Sequence, residues 1–161
     1  MAAPLASQAT AVPREAQRLV LAPVAADGRG QQMGKAFERA VDVRWRDTDA
    51  LGHVNHTVFL TYLEEGRDAF FTAALATDPA YVVVRIELDF RAEIQLTDRR
   101  VTVRLEVENV GTTSLTTRET ITLPSGEKAA EARVITVRWD TGQHKPTAFT
   151  DAERRQLSAY A

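Results

Sequence analysis

The sequence predicts an α+β domain in which one long helix lies on a face of an antiparallel sheet, and three observations predict it. A single stretch, Thr57 to Leu75, carries a helical period. The segments on either side of it alternate apolar and polar residues, as half-buried strands do. Most connections between the later strands are too short for a crossover, so those neighbours run antiparallel.

Residues 1–35 are rich in Ala, Gln, Pro and Gly and end in the Gly28, Gly30, Gly34 cluster. With little apolar surface to offset the entropy of ordering them, they read as a flexible N-terminal tail. The folded domain is expected over residues 36–142. Phe37, Val41, Val43 and Trp45 fall at even spacing with charged residues among them, the mark of a first strand with one buried face. A polar loop from Asp47 to His56 follows, with Gly52 and short side chains suited to turns and helix caps.

In the helix, Thr61, Glu64, Glu65, Asp68 and Thr72 make one polar stripe, while Phe59, Tyr62, Leu63, Phe70 and Ala73 lie elsewhere. At 1.5 Å per residue it runs roughly 28 Å, about the width of a small domain. Its apolar surface is broad enough for a sheet to wrap it, and Asp78 and Pro79 are expected to end it.

The next strand sets Val82, Val84, Ile86, Leu88 and Phe90 against Val83, Arg85, Glu87, Asp89 and Arg91. Val101, Val103, Leu105 and Val107 repeat the pattern, and a Thr-rich strand follows from Ser114 to Leu123. After the turn Pro124-Ser125-Gly126, the last strand runs from Glu127 to Trp139, with either Ala130, Ala132 and Val134 or Ile135, Val137 and Trp139 facing inward. Residues 143–161 read as a loosely held C-terminal extension.

Composition limits the chemistry. The chain has no cysteine, which removes a thiol nucleophile, a thiolate metal site and a disulfide framework. Its 20 basic and 22 acidic residues give a net charge of −2, without the concentrated positive field that nucleic acid requires. No run approaches the ~20 apolar residues that span a bilayer, and the N-terminal segment lacks the build of a secretory signal. A cytoplasmic protein is expected, with neither nucleic acid nor membrane as partner.

The densest cluster of reactive side chains is Arg46-Asp47-Thr48-Asp49-Ala50-Leu51-Gly52-His53-Val54-Asn55-His56, immediately before the helix. Its position is informative, because the first turn of a helix leaves backbone N–H groups unpaired and carries partial positive charge. A carboxylate beside such donors supplies two parts of an acyl-transfer site.

This segment, followed by Tyr62-Leu63-Glu64-Glu65-Gly66-Arg67, resembles the signature of hotdog-fold thioesterases of the 4-hydroxybenzoyl-CoA thioesterase type. The resemblance extends more weakly from about Phe37 to Trp139 and implies a hotdog fold. It implies hydrolysis of an acyl-CoA thioester with Asp49, the second aspartate of the pair, as the catalytic carboxylate and Asp47 as its support. It further implies a homodimer or homotetramer, an active site at a subunit interface, coenzyme A held partly on the surface, and no metal or redox cofactor. Some relatives carry a histidine seven residues beyond the catalytic aspartate, the spacing of His56, and Asn55 is open to the same role. Gly66 stands where the family pattern has alanine.

The chemistry suits these residue types. Either the carboxylate attacks the thioester carbonyl directly, or it deprotonates a water that does. Both routes put negative charge on the carbonyl oxygen, and the backbone N–H groups of residues 55–58 are the donors expected to meet it. Asn55 or His56 is expected to orient water or substrate. Arg85, Arg91, Arg99, Arg100 and Lys128 are the basic residues available to carrier phosphates, and the carrier is coenzyme A or an acyl carrier protein.

Plainer roles compete at each position. Asp49 and Asp47 can be turn aspartates, and Asn55 and His56 can cap the helix. His53 and His56 with Asp47 and Asp49 offer metal-ligand chemistry, but at loop spacings that do not favour it. Glu64 is a reserve carboxylate, since other hotdog thioesterases carry theirs on the helix; with Arg67 it can also form an ordinary ion pair. Trp45, Phe59, Tyr62 and Phe70 are expected in the core or lining an acyl pocket. Two rival functions are a hotdog hydratase or dehydratase, which needs a His and Asp pair at an enoyl group, and a noncatalytic acyl-binding domain indifferent to loss of Asp49.

Overall fold

The computed structural model describes residues 35–76 and 80–161. Residues 1–34 of the expected tail, and the proposed stop at Asp78 and Pro79, lie outside the described residues. The elements run β1 (Phe37–Asp42), α1 (His56–Leu75), β2 (Tyr81–Phe90), β3 (Arg100–Val110), β4 (Ser114–Thr122), β5 (Lys128–Asp140), β6 (Lys145–Pro146) and α2 (Asp151–Ser158). One-turn 3-10 helices sit at Trp45–Asp47 and Leu96–Asp98.

The α+β architecture is as the periodicity predicts. The sheet order is β1-β3-β4-β5-β2, every pair antiparallel, with β6 added beside β5. Register aligns apolar positions across it: Val41 faces Val101, Val103 faces Ile121, and Ile121 faces Ala130. Against this surface α1 lays Phe59, Tyr62, Leu63, Phe70, Phe71 and Ala74, all buried, packing mainly on β1 and β3. The Asn55 side chain caps the start of α1 through the Thr57 N–H, and Ala76 ends it in the left-handed region, at φ 53°.

At Gly66 the helix comes close to the sheet. A Cβ at this position would stand 2.5 Å from Val103 Cγ1 and 3.1 Å from Val103 Cβ. The glycine therefore sets the spacing of α1 over β3.

Three expectations need correction. Trp45 does not continue the first strand; β1 ends at Asp42, and the indole stands 80% exposed on the 3-10 turn. Residues beyond Gly142 are not loosely held: Phe149 and Leu157 join the core, the Tyr160 carbonyl accepts the Val107 N–H, and its ring meets Phe70 edge-on at 5.1 Å. A Thr150–Glu153 capping box starts α2 there. The third is the pairing of Glu64 with Arg67. Arg67 turns inward instead and meets Glu119 of β4 at 2.7 Å, both side chains buried, while Thr117 Oγ1 donates to the other carboxylate oxygen.

Of the two inward sets offered for the last strand, Ala130, Ala132 and Val134 are the buried one.

Candidate active site

The loop before α1 folds as a short hairpin. Thr48 and Val54 form an antiparallel bridge, Asp49 N–H donates to the His53 carbonyl at 2.9 Å, and Gly52 N–H donates to the Asp49 carbonyl at 3.0 Å. Gly52 makes the turn at φ 82°, where a side chain would strain the backbone. Asp49 is half-buried near its tip. One carboxylate oxygen, Oδ1, accepts the Leu51 N–H at 2.9 Å, and Oδ2 has no hydrogen bond among the described residues.

Asp47 is placed quite differently. Its carboxylate is buried, and Oδ2 accepts both the Tyr62 hydroxyl at 2.7 Å and the Arg44 N–H at 2.9 Å. Its carbonyl takes the Asn55 N–H at 2.8 Å. Asp47 thus fastens the loop to the helix, and burial followed by this hydrogen bond pushes the Tyr62 phenol well above its ordinary pKa. The Arg44 guanidinium pairs with Glu65 at 2.7 Å, a further tie between the turn and α1.

At the helix start, the N–H groups of Asn55, Thr57 and Val58 are already bonded, to Asp47 O, Asn55 Oδ1 and Asn55 O. Of the four expected oxyanion donors, the His56 N–H alone has no partner among the described residues. The Asn55 carboxamide oxygen also accepts the Thr57 hydroxyl at 2.8 Å, which leaves its amide hydrogens for a ligand. The exposed His56 ring meets Phe90 edge-on at 6.5 Å, and Phe90 in turn meets Phe59 at 5.1 Å. Glu64 is exposed on α1 and makes no ion pair among the described residues.

Among the described residues no group of three or more His, Asp or Glu side chains is arranged to hold an ion, His53, His56, Asp47 and Asp49 included. No helix there is long and apolar enough to cross a membrane.

The model of the thioesterase-like superfamily matches residues 43–157, from just after β1 into α2. The chain belongs to the thioesterase-like superfamily. No curated protein matches this superfamily member. Solved structures do. A predicted thioesterase from Bacillus stearothermophilus is 27% identical, with a TM-score of 0.72 over 79% of this chain and 97% of its own. A thioesterase from Thermus thermophilus, complexed with coenzyme A and Zn, is 35% identical, with a TM-score of 0.66 over 74% of this chain and 95% of its own. A 1,4-dihydroxy-2-naphthoyl-CoA thioesterase from Synechocystis shares the hotdog fold at 19% identity and a TM-score of 0.66, covering 77% of this chain and 96% of its own.

Within this thioesterase-like domain, a partly enclosed cleft of about 300 Å³ lies at the far end of α1, lined by Phe71, Tyr81, Trp139 and Phe149 among others. None of its walls comes from the Asp49 hairpin. Close to the hairpin the surface opens into a shallow trough of about 620 Å³ along Val43, Leu96, Thr97 and Arg99. The trough likewise takes no wall from the hairpin, but its Leu96 follows Gln95, which bridges to His53 of the hairpin. Among the basic residues suggested for phosphates, Arg85, Arg91, Arg100 and Lys128 are engaged with Glu87, with Asp89 and Glu131, with Asp42 and with Glu131 respectively. Arg99, beside the trough, has no ion pair among the described residues.

Sequence reasoning missed two groups here. Glu93 lies 2.9 Å from His53 Nε2 and accepts the Gln95 side-chain amide at 2.6 Å. The bridge between His53 and Gln95 that joins them connects segments far apart in the sequence, and no local pattern signals it. The Arg67–Glu119 pair was more accessible. Glu119 falls in the inward series Leu115, Thr117, Ile121, and Arg67 is four residues from Leu63 and from Phe71 on the apolar face of α1.

Proposed function

We propose that this chain is an acyl-CoA thioesterase of the 4-hydroxybenzoyl-CoA thioesterase type, a cytoplasmic enzyme with Asp49 as the reacting carboxylate. The observation that carries this reading is that Asp49 Oδ2, on the hairpin leading into α1, and the His56 N–H, at the start of α1, are both without a hydrogen bond among the described residues. The Thermus relative bound to coenzyme A supports the carrier.

In one route Oδ2 removes a proton from water as the water oxygen adds to the carbonyl carbon; the C–S bond then breaks and the thiolate leaves with a proton. In the other, Oδ2 adds to the carbon itself, expelling the thiolate and forming an anhydride that water hydrolyses. In both, charge grows on the carbonyl oxygen, where the His56 N–H and the positive end of α1 stabilise it. The free amide of Asn55 or the His56 imidazole orients the water or the carbonyl, Asp47 holds the loop, and Arg99 meets a carrier phosphate.

A second copy completes the enzyme in this scheme. β2 is an outer strand ten residues long, paired on one side with β5, and it exposes Val83, Val84 and Phe90. An unpaired edge of this length and character favours pairing with another copy. Phe90 ends that strand beside His56, so strand pairing would bring the partner close to the start of α1.

The test is thiol release from short, long and aromatic acyl-CoAs by the wild type, Asp49→Asn, Asp49→Ala and Glu64→Gln. The expected outcome is turnover of at least one thioester, lowered by about 10²- to 10⁴-fold in both Asp49 variants with folding intact. Full turnover without Asp49 overturns the assignment, and loss confined to Glu64→Gln moves the chemistry to the helix. Acyl-CoA binding without hydrolysis favours a noncatalytic domain, and hydration of an enoyl-CoA a hydratase.

A further inference from the structure

We infer that Glu93 and His53 act together as a latch that positions Asp49, a role that rests on the thioesterase reading above. The hairpin carrying Asp49 is attached to the connection between β2 and β3 at the His53–Gln95 bridge, where the Val54 N–H donates to the Ile94 carbonyl at 2.8 Å. One side-chain contact spans the same seam, His53 Nε2 to Glu93 Oε2 at 2.9 Å.

The contact holds the imidazole ring against the Glu93 carboxylate. The other oxygen, Oε1, accepts the Gln95 amide, so the carboxylate is held from both sides.

His53 passes this constraint to the reacting group. Its carbonyl accepts the Asp49 N–H, and the turn between the two residues supplies the Leu51 N–H that holds Asp49 Oδ1. A shift of His53 thus moves both hydrogen bonds that aim Oδ2. No atom of Glu93 needs to touch substrate for this; it is a positioning residue. The side chains are 30% and 26% exposed, so replacing either leaves no buried charge behind and the fold survives.

Glu93→Gln, His53→Gln and the double variant test the latch beside the wild type and Asp49→Asn. Misplacement of a reacting group by about 1 Å costs on the order of 10²-fold, and a loosened hairpin is expected to lose roughly 10- to 100-fold in kcat with KM within about twofold. The double variant should lose no more than the worse single one, because one contact is broken in each. NMR of the imidazole gives a readout apart from activity: the His53 ring signals of the wild type should shift in Glu93→Gln as the ring loses its partner, and unmoved signals would mean that Glu93 does not hold the ring.

Turnover that needs Asp49 but is indifferent to Glu93→Gln and His53→Gln, or losses that multiply in the double variant, would overturn the latch alone. Turnover that survives Asp49→Asn, or no turnover of any thioester, overturns the thioesterase site and the latch with it.

Discussion

Gly66 shows how much a single hydrogen can decide. Alanine is the better helix former by about 1 kcal/mol, and by propensity alone Gly66→Ala should stabilise α1. The added methyl would instead meet Val103 at a short, β-branched side chain with no flexible end to move aside. Overpacking of this kind costs about 1–3 kcal/mol, so the net expectation is a loss of stability, read as a lower urea midpoint at unchanged slope. A midpoint raised by the substitution would show that the helix can lift from the sheet without cost. The sequence marked this position as a departure from the family pattern, but the close approach of Val103 belongs to the packing of two elements and has no local signature. Asp47 is the same kind of case. Its place in a polar loop suggested exposure, and only the fold brings Tyr62 to its carboxylate.

The elements themselves were largely legible. α1, β3 and β4 appear where periodicity puts them, because each has one face fully dry and the alternation of residue types records it. β2 read just as clearly from its sequence, yet it is an edge strand with Val84 57% exposed and a register shift between Val83 and Arg85. Its apolar residues exceed what one helix and one neighbour can cover, which is why sequence and single-chain burial differ. As a test of the subunit contact proposed for β2, Val84→Lys is expected to sediment as a monomer at micromolar concentration where the wild type sediments as a dimer, with circular dichroism unchanged, since Val84 makes little use of the core. A species of unchanged mass would place the subunit contact elsewhere. The hairpin was legible as a loop but not as a hairpin, because its order comes from segment 93–95, beyond the helix.

At the scale of the molecule, the buried ion pair lies where α1 meets β4. There Arg67 leaves its Nε without a hydrogen bond among the described residues, and burial pushes the Glu119 carboxyl up to about 7, with Arg67 and Thr117 drawing it partly back. From a starting value of 4.5, the folded state holds this proton at pH values where the unfolded chain has released it. The contribution of Glu119 to stability is therefore fullest below about pH 4.5, falls as pH rises to about 7, and is constant above. Paired carboxylates act in the opposite sense; Asp42 is held below its ordinary pKa chiefly by Arg100, and Glu131 chiefly by Lys128. Comparison with Glu119→Gln isolates the one group. The difference in unfolding free energy, wild type minus variant, is expected to decline between pH 5 and 7. A difference that is flat or rises over that range would mean that the pair stays ionised throughout.

The order of strands carries a consequence for synthesis. β1 and β2 flank the helix in sequence but occupy opposite rims of the sheet, and their hydrogen-bonding partners are β3 and β5. Among the described residues before Arg100, neither β1 nor β2 has its strand partner there; only the isolated bridges of the hairpin can close. As the chain leaves the ribosome, its first half therefore waits with two strands unmatched and one amphipathic helix uncovered. The later strands β3, β4 and β5 are joined by short turns and can assemble among themselves at small loop-closure cost. The nascent N-terminal half is thus the interval of greatest exposure to chaperones and to other chains, and it ends only when Asp140 has emerged.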